Sequence, residues 1–154
     1  MLLSPRLRAL SVLPGALLAR PTDVSRLTFT VRLWDVDLNV HLTNSRYPQF
    51  MDIGRLDLLL RAGTLQKMLS EGARPMVVES TIQFKKELRL GTTFTLESRV
   101  VGRQRRVVVV EQRFLVGDVE HAKGTIKALL ARRGRIVDPV PFLPQLADLP
   151  IRSG

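Results

Sequence analysis

The stretch Gln49 to Ala62 constrains the fold most, because its apolar side chains surround most of a helical surface. Phe50, Ile53, Leu56 and Leu60 recur at three- and four-residue steps, and Met51, Leu58 and Leu59 widen the face. A helix this apolar has to be buried on most sides. Arg61-Ala62-Gly63 reads as its stop, with Gly63 as the residue after the C-cap. Gly54 costs helix propensity inside it, which points to a close approach by another backbone.

What wraps the helix is strand-like. Leu27, Phe29, Val31 and Leu33 alternate with polar residues before it. After a short second helix over Leu65 to Glu71, the same period of two recurs from Met76 to Phe84, Thr93 to Val100 and Ala122 to Ala131. Val107 to Val116 is a β-branched run. Gly91, Gly102 and Gly117-Asp118 read as the turns between strands. The order is strand, buried helix, then four antiparallel strands. That is an α+β layout, a curved sheet around one long central helix. One helix cannot cover five strands, so pairing with a second copy, as a homodimer or a dimer of dimers, is expected.

The chain has 154 residues, enough for one domain with a real core. Three parts are expected: a basic, apolar segment over 1–22, the domain over 23–137, and a Pro-rich, extended tail over 138–154. Before Asp23 the first part has no acid, carries Arg6, Arg8 and Arg20, and is broken by Pro5, Pro14 and Gly15. It reads as a membrane-surface segment or a leader packed on the domain, with a targeting segment as the weaker reading. No apolar run approaches the ~20 residues of a spanning helix. The expected location is cytoplasmic, with peripheral membrane contact open through 1–22.

The absence of cysteine excludes disulfides, thiolate nucleophiles and cysteine-ligated metals. With only His41 and His121, a histidine-rich metal site is disfavoured too. The net charge of +10 suits nucleic acid, anionic lipid or a phosphorylated ligand equally, or simply a solvated arginine surface.

The chemistry concentrates between Trp34 and Tyr47, just ahead of the helix. A carboxylate there can act as base or nucleophile, and a helix N-terminus can hold an oxyanion. On local pattern alone the bland alternative is strong, since Asp37 and Asn39 are also ordinary turn and capping residues. Asp35, Asp37, Asn39, His41, Asn44 and Tyr47 match a pattern written D-x-D-x-N-x-H-x-N-N-x-x-Y, with Thr43 in place of the first Asn of its pair. The segment thereby resembles the hotdog-fold thioesterases of the 4-hydroxybenzoyl-CoA thioesterase type. Met51 to Arg61, Val78 to Phe84 and Glu111 to Phe114 extend the resemblance over roughly Leu27 to Arg133.

That resemblance implies an acyl-CoA thioesterase, with no metal or redox cofactor and coenzyme A as part of the substrate. Asp37 is then the carboxylate that attacks the thioester or activates water. Asn39, His41 and Asn44 orient water or polarise the carbonyl. Tyr47 lines the pocket, and Lys85, Lys86, Arg103, Arg105 and Arg106 bind the coenzyme's phosphates, unless they are solvated turns. Asp52 and Arg55 read better as a structural or interface ion pair than as chemistry. Three other readings compete. A non-catalytic acyl-thioester or lipid-binding protein fits Thr43 and the basic N-terminus. A hydratase or dehydratase of the same fold needs Asp-x-Asn-Pro-x-His, and here Asn39 is followed by Val40 and His41. Nucleic-acid binding has charge in its favour but no supporting motif.

Overall fold

The computed structural model describes residues 24–152, so the N-terminal segment lies outside the described residues. The chain runs β1 (Val24–Thr30), α1 (Arg46–Arg61), α2 (Thr64–Ser70), β2 (Ala73–Phe84), β3 (Thr93–Gln104), β4 (Val107–Val116), β5 (Val119–Arg132) and a short β6 (Arg135–Val137). The strands form one antiparallel sheet in the order β1-β3-β4-β5-β2, with β6 added to β5. This is the expected arrangement of a sheet around one helix.

Helix α1 lies over the β1–β3 half of the sheet. Phe50, Met51, Ile53 and Leu58 are buried under it. Rings continue the core from Phe29 through Phe50, Phe94 and Phe114 to Tyr47 and Phe84, with neighbouring centroids 4.9–5.8 Å apart. The helix begins at Arg46, three residues before the sequence pattern, with Pro48 accommodated in its first turn.

The seat of α1 is polar. Gln112 on β4 is fully buried and donates to Met51 O (2.9 Å) and Ser98 Oγ (2.8 Å). Its Oε1 accepts from Arg55 Nη1 at 2.8 Å. Gly54 makes this possible: a Cβ there would meet Ser98 Oγ at 2.6 Å and Gln112 Nε2 at 2.9 Å. Arg55 also pairs with Asp52, the structural ion pair expected from their spacing.

Elsewhere the structure departs from the pattern. β1 ends at Thr30, because Val31 turns inward to bond Thr92 O (2.9 Å) and Leu33–Asp35 form a 3-10 turn that leaves Leu33 72% exposed. Gly102 is not a turn but a bulge within β3, and the turn falls at Arg105-Arg106. A side chain at Gly102 would meet Pro150 O at 2.7 Å, so this glycine admits the returning C-terminal chain. The Pro-rich tail is not simply extended. Phe142, Leu143 and Leu146 are buried, Pro144–Ala147 form a 3-10 turn, and Arg152 N–H reaches Arg103 O at 2.8 Å.

Strand β2 is the exception to burial. It is a twelve-residue outer strand, and Met76, Val77 and Val78 are 43%, 49% and 51% exposed. Among the described residues no helix is long and apolar enough to cross a membrane.

The seat of α1 yields a stability prediction. Gly54→Ala gains about 1 kcal/mol in helix propensity but must displace Ser98 or Gln112. We expect a net loss of about 1–3 kcal/mol, read from the urea midpoint. A midpoint that held or rose would show that the helix does not rest on these side chains.

Candidate active site

Residues 36–42 fold back on themselves. Val36 and Leu42 form a bridge, Asp37 N–H reaches His41 O at 3.4 Å, and Val40 takes a positive φ of 63° to close the turn. Asp37 Oδ1 accepts the Asn39 N–H at 2.9 Å, the side-chain turn that Asp favours. Asp35 fixes the near end, with Oδ2 accepting the Arg32 N–H at 2.9 Å. On the other side the loop pairs with residues 88–90: Leu42 N–H bonds Leu88 O (2.6 Å) and Leu90 N–H bonds Val40 O (3.1 Å), with His41 opposite Arg89.

This makes a three-stranded ladder in miniature, and its register sorts the side chains. Residues facing each other across antiparallel strands share a face. Leu42 and Leu88 are accordingly both buried in the core. Asp37, His41 and Arg89 fall on the other face, and Glu87, two residues before Arg89, joins them. His41 Nε2 stands 3.6 Å from Glu87 Oε1, and Arg89 Nε is 3.9 Å from Glu87 Oε2. The sequence reading missed Glu87, which looks like one more charge in a Lys-Lys-Glu turn. Only the pairing of His41 with Arg89 brings it to the site.

Beside this face lies an open pocket of about 330 Å³ whose lining includes His41, Asn44, Tyr47, Lys85, Lys86 and Glu87. Five of the predicted site residues therefore meet here. Asp37 and Asn39 are exposed on the adjoining turn rather than in the pocket wall. Asn44 precedes the first turn of α1. In that turn Arg46 N–H is used by Thr43 O (2.8 Å) and Pro48 has none, so Ser45 and Tyr47 hold the N–H groups without helical acceptors. Thr43 itself anchors the loop through its backbone, with its N–H on Asp35 O at 2.9 Å.

The cations divide. Lys85 pairs with Glu120, which also accepts from Arg113 Nε at 2.7 Å, and these two bonds hold the Glu120 carboxyl below its ordinary range. Lys86 has no acid partner among the described residues. Arg103, Arg105 and Arg106 do not reach the pocket of the same protomer. They sit at the far end of β3 and in the turn after it: Leu96 is level with the pocket through Phe114, Ala122 and Phe84, and the seven or more residues from there at ~3.3 Å each put them roughly 23–30 Å away. His121 is structural, its Nδ1 lying 2.9 Å from Glu87 O.

The sequence profile described as the thioesterase-like superfamily matches residues 31–148. Protein THEM6 of Xenopus laevis is 35% identical over 81 residues, covering 53% of this chain and 39% of that one. Protein THEM6 of Danio rerio is 30% identical over 111 residues, covering 72% of this chain and 53% of that one. The chain thus spans about half the length, or less, of these curated relatives. Among solved structures, SAV2348 from Staphylococcus aureus in complex with CoA superposes with a TM-score of 0.72 at 16% identity, over 88% of this chain and 92% of that one. A variant of 4-hydroxybenzoyl CoA thioesterase complexed with 4-hydroxybenzoyl CoA gives 0.69 at 11% identity, over 80% and 98%. At such identities the likeness establishes the shared hotdog fold.

Tyr47 offers a direct probe of the pocket, being the one tyrosine in the chain. Burial, and then the charge of Glu87, push its pKa up to about 12. The folded state therefore favours the neutral phenol. Its contribution to stability is present below pH ~10 and is lost as pH rises from there through the folded value of about 12. Phenolate absorbance should titrate near 12 in the folded protein and near 10 in urea. A folded midpoint at the ordinary value would place the ring in water.

Proposed function

This chain belongs to the thioesterase-like superfamily, and on that premise we propose that it hydrolyses an acyl-CoA thioester to the free acid and coenzyme A. The observation that carries the reading is the face on which His41, Glu87 and Arg89 meet beside the first turn of α1, with Asp37 on the same face by backbone register. Asp37 takes a proton from water, whose oxygen attacks the thioester carbon. The carbonyl oxygen becomes an oxyanion, held by the Tyr47 N–H and the Asn44 amide. As the carbonyl reforms, the C–S bond breaks and the coenzyme A thiolate leaves, taking up the proton that Asp37 accepted from water, which restores the carboxylate. His41, steadied by Glu87, orients the water, and Asn39 keeps the Asp37 carboxylate turned through its backbone N–H. Lys86, with Lys85 beside it, attracts the phosphates at the pocket rim. No cofactor enters these steps.

The proposal includes a homodimer. Among the described residues strand β2 has no partner on its outer edge, where Met76, Val77 and Val78 are exposed, and it ends at Phe84 in the pocket wall. A second copy paired along this edge satisfies the backbone, covers the apolar residues and closes the site against water.

One second reading has an observation behind it. Asp37 already spends Oδ1 on the turn and is exposed, which suits a protein that binds an acyl thioester without cleaving it.

Thiol release from a panel of acyl-CoAs separates the two, and a chain without cysteine adds no background. We expect turnover by the native protein and a kcat at least ~100-fold lower for Asp37→Asn, about 2.7 kcal/mol of transition-state stabilisation. Turnover undiminished in the variant would remove Asp37 from the chemistry. No turnover by the native protein, with acyl-CoA still bound, would establish the binding reading. For the assembly, light scattering should give twice the chain mass, falling to one chain in Met76→Lys/Val78→Lys. A native monomer, or a variant that stayed dimeric, would rule out the β2 edge.

A further inference from the structure

We infer that the end of the sheet opposite the pocket is a docking surface for an anionic phospholipid membrane. Two hairpin tips meet there. The end of the β3–β4 hairpin carries Arg103, Arg105 and Arg106, and the end of the β5–β6 hairpin carries Arg132, Arg133 and Arg135. The two tips are joined, since Arg106 Nη1 donates to Ile136 O at 3.1 Å. Among the described residues, the acid that reaches any of the six is Glu71, 3.9 Å from Arg132. A concentration of charge this poorly neutralised raises the local positive potential and attracts anionic surfaces.

Turn geometry gives no reason for these arginines. Arg105 and Arg133 adopt left-handed backbones with φ of 53° and 51°. Glycine or asparagine is the ordinary choice there. The side chain is kept where the backbone would prefer another, and the feature it adds is a cation at the tip of each hairpin.

Apolar groups accompany the cations. Between the hairpins lies a shallow depression lined by Arg105, Arg106, Val107, Leu129 and Ile136. Ile136 is 46% exposed, and Ile151, held beside Arg103 by the returning chain, is 70% exposed. Cations that rim exposed aliphatic side chains match the boundary between phosphate headgroups and acyl chains. Single-stranded nucleic acid asks for aromatic platforms along a groove, and the exposed apolar residues at these tips are aliphatic. The chain also enters β1 from this side, Val24 pairing with Arg99.

The test is co-sedimentation of the full chain with vesicles of phosphatidylcholine alone or mixed with phosphatidylserine. The native protein should sediment with the mixed vesicles and be released by salt. Arg105→Asn/Arg133→Asn suits both turns, so its thermal midpoint should hold or rise. Each cation removed should weaken binding about fivefold, so this variant should lose roughly 25-fold. Ile136→Ser/Ile151→Ser, which leaves the charge intact, should also lose binding. Native-like sedimentation of the asparagine variant would shift the contact to residues 1–23 and overturn the proposal. So would retention of an RNA or DNA oligonucleotide at a salt concentration that releases the vesicles, or equal binding to both vesicle types.

Discussion

One buried amide sets the geometry on which the rest depends. Gln112 projects from β4 into the underside of α1 and makes three bonds there, to Met51 O, Ser98 Oγ and Arg55. Met51 O is a mid-helix carbonyl, so its second lone pair takes the amide in addition to its helical bond. Breaking such a set leaves buried polar groups unpaired at ~1–3 kcal/mol each, whereas apolar packing alone would let the helix slide at little cost. The missing Cβ at Gly54 lets the backbone sit low enough for the bonds to form. With the helix fixed in height and rotation, Tyr47 falls between Phe84 and Phe114, 4.9 Å from each ring centroid. The first turn of α1 then opens onto the pocket rather than into the core.

Much of this was legible because it is periodic. The apolar face of α1 and the alternation of the strands are local patterns read without knowing the pairing; Gly54 likewise marks a close approach, although the side chains of Ser98 and Gln112 occupy the space rather than another backbone. What escaped the sequence depends on which distant residues meet. Glu87 is unremarkable until His41 pairs with Arg89. Gly102 looks like a turn until the chain near Pro150 returns to occupy the space it leaves. The prolines after Asp138 argue for extension, yet Phe142, Leu143 and Leu146 have more to gain from the core than the backbone has to lose. Arg103, Arg105 and Arg106 resemble Lys85 and Lys86 in composition but lie at the other end of the sheet. Charge in a sequence has no position until strand lengths are known.

The exposed edge and the exposed carboxylate belong to one problem. At about 4 Å a pair of unit charges interacts by ~1 kcal/mol in water but by ~4 kcal/mol at an effective dielectric of 20. Glu87 and Arg89, 3.9 Å apart and both exposed beside the open pocket, are near the weaker limit while water reaches them. Asp37 on its turn is in the same position. Each becomes more effective when something excludes water. The strand that ends in the pocket wall at Phe84 is also the strand whose backbone and apolar side chains are uncovered. Covering β2 therefore strengthens the site's electrostatics through the same contact that satisfies the sheet. On the proposed reading, a protomer alone holds Asp37, His41 and Glu87 in register but leaves them in a medium that weakens them, and pairing along β2 would tie activity to assembly through solvent access rather than through any change of fold.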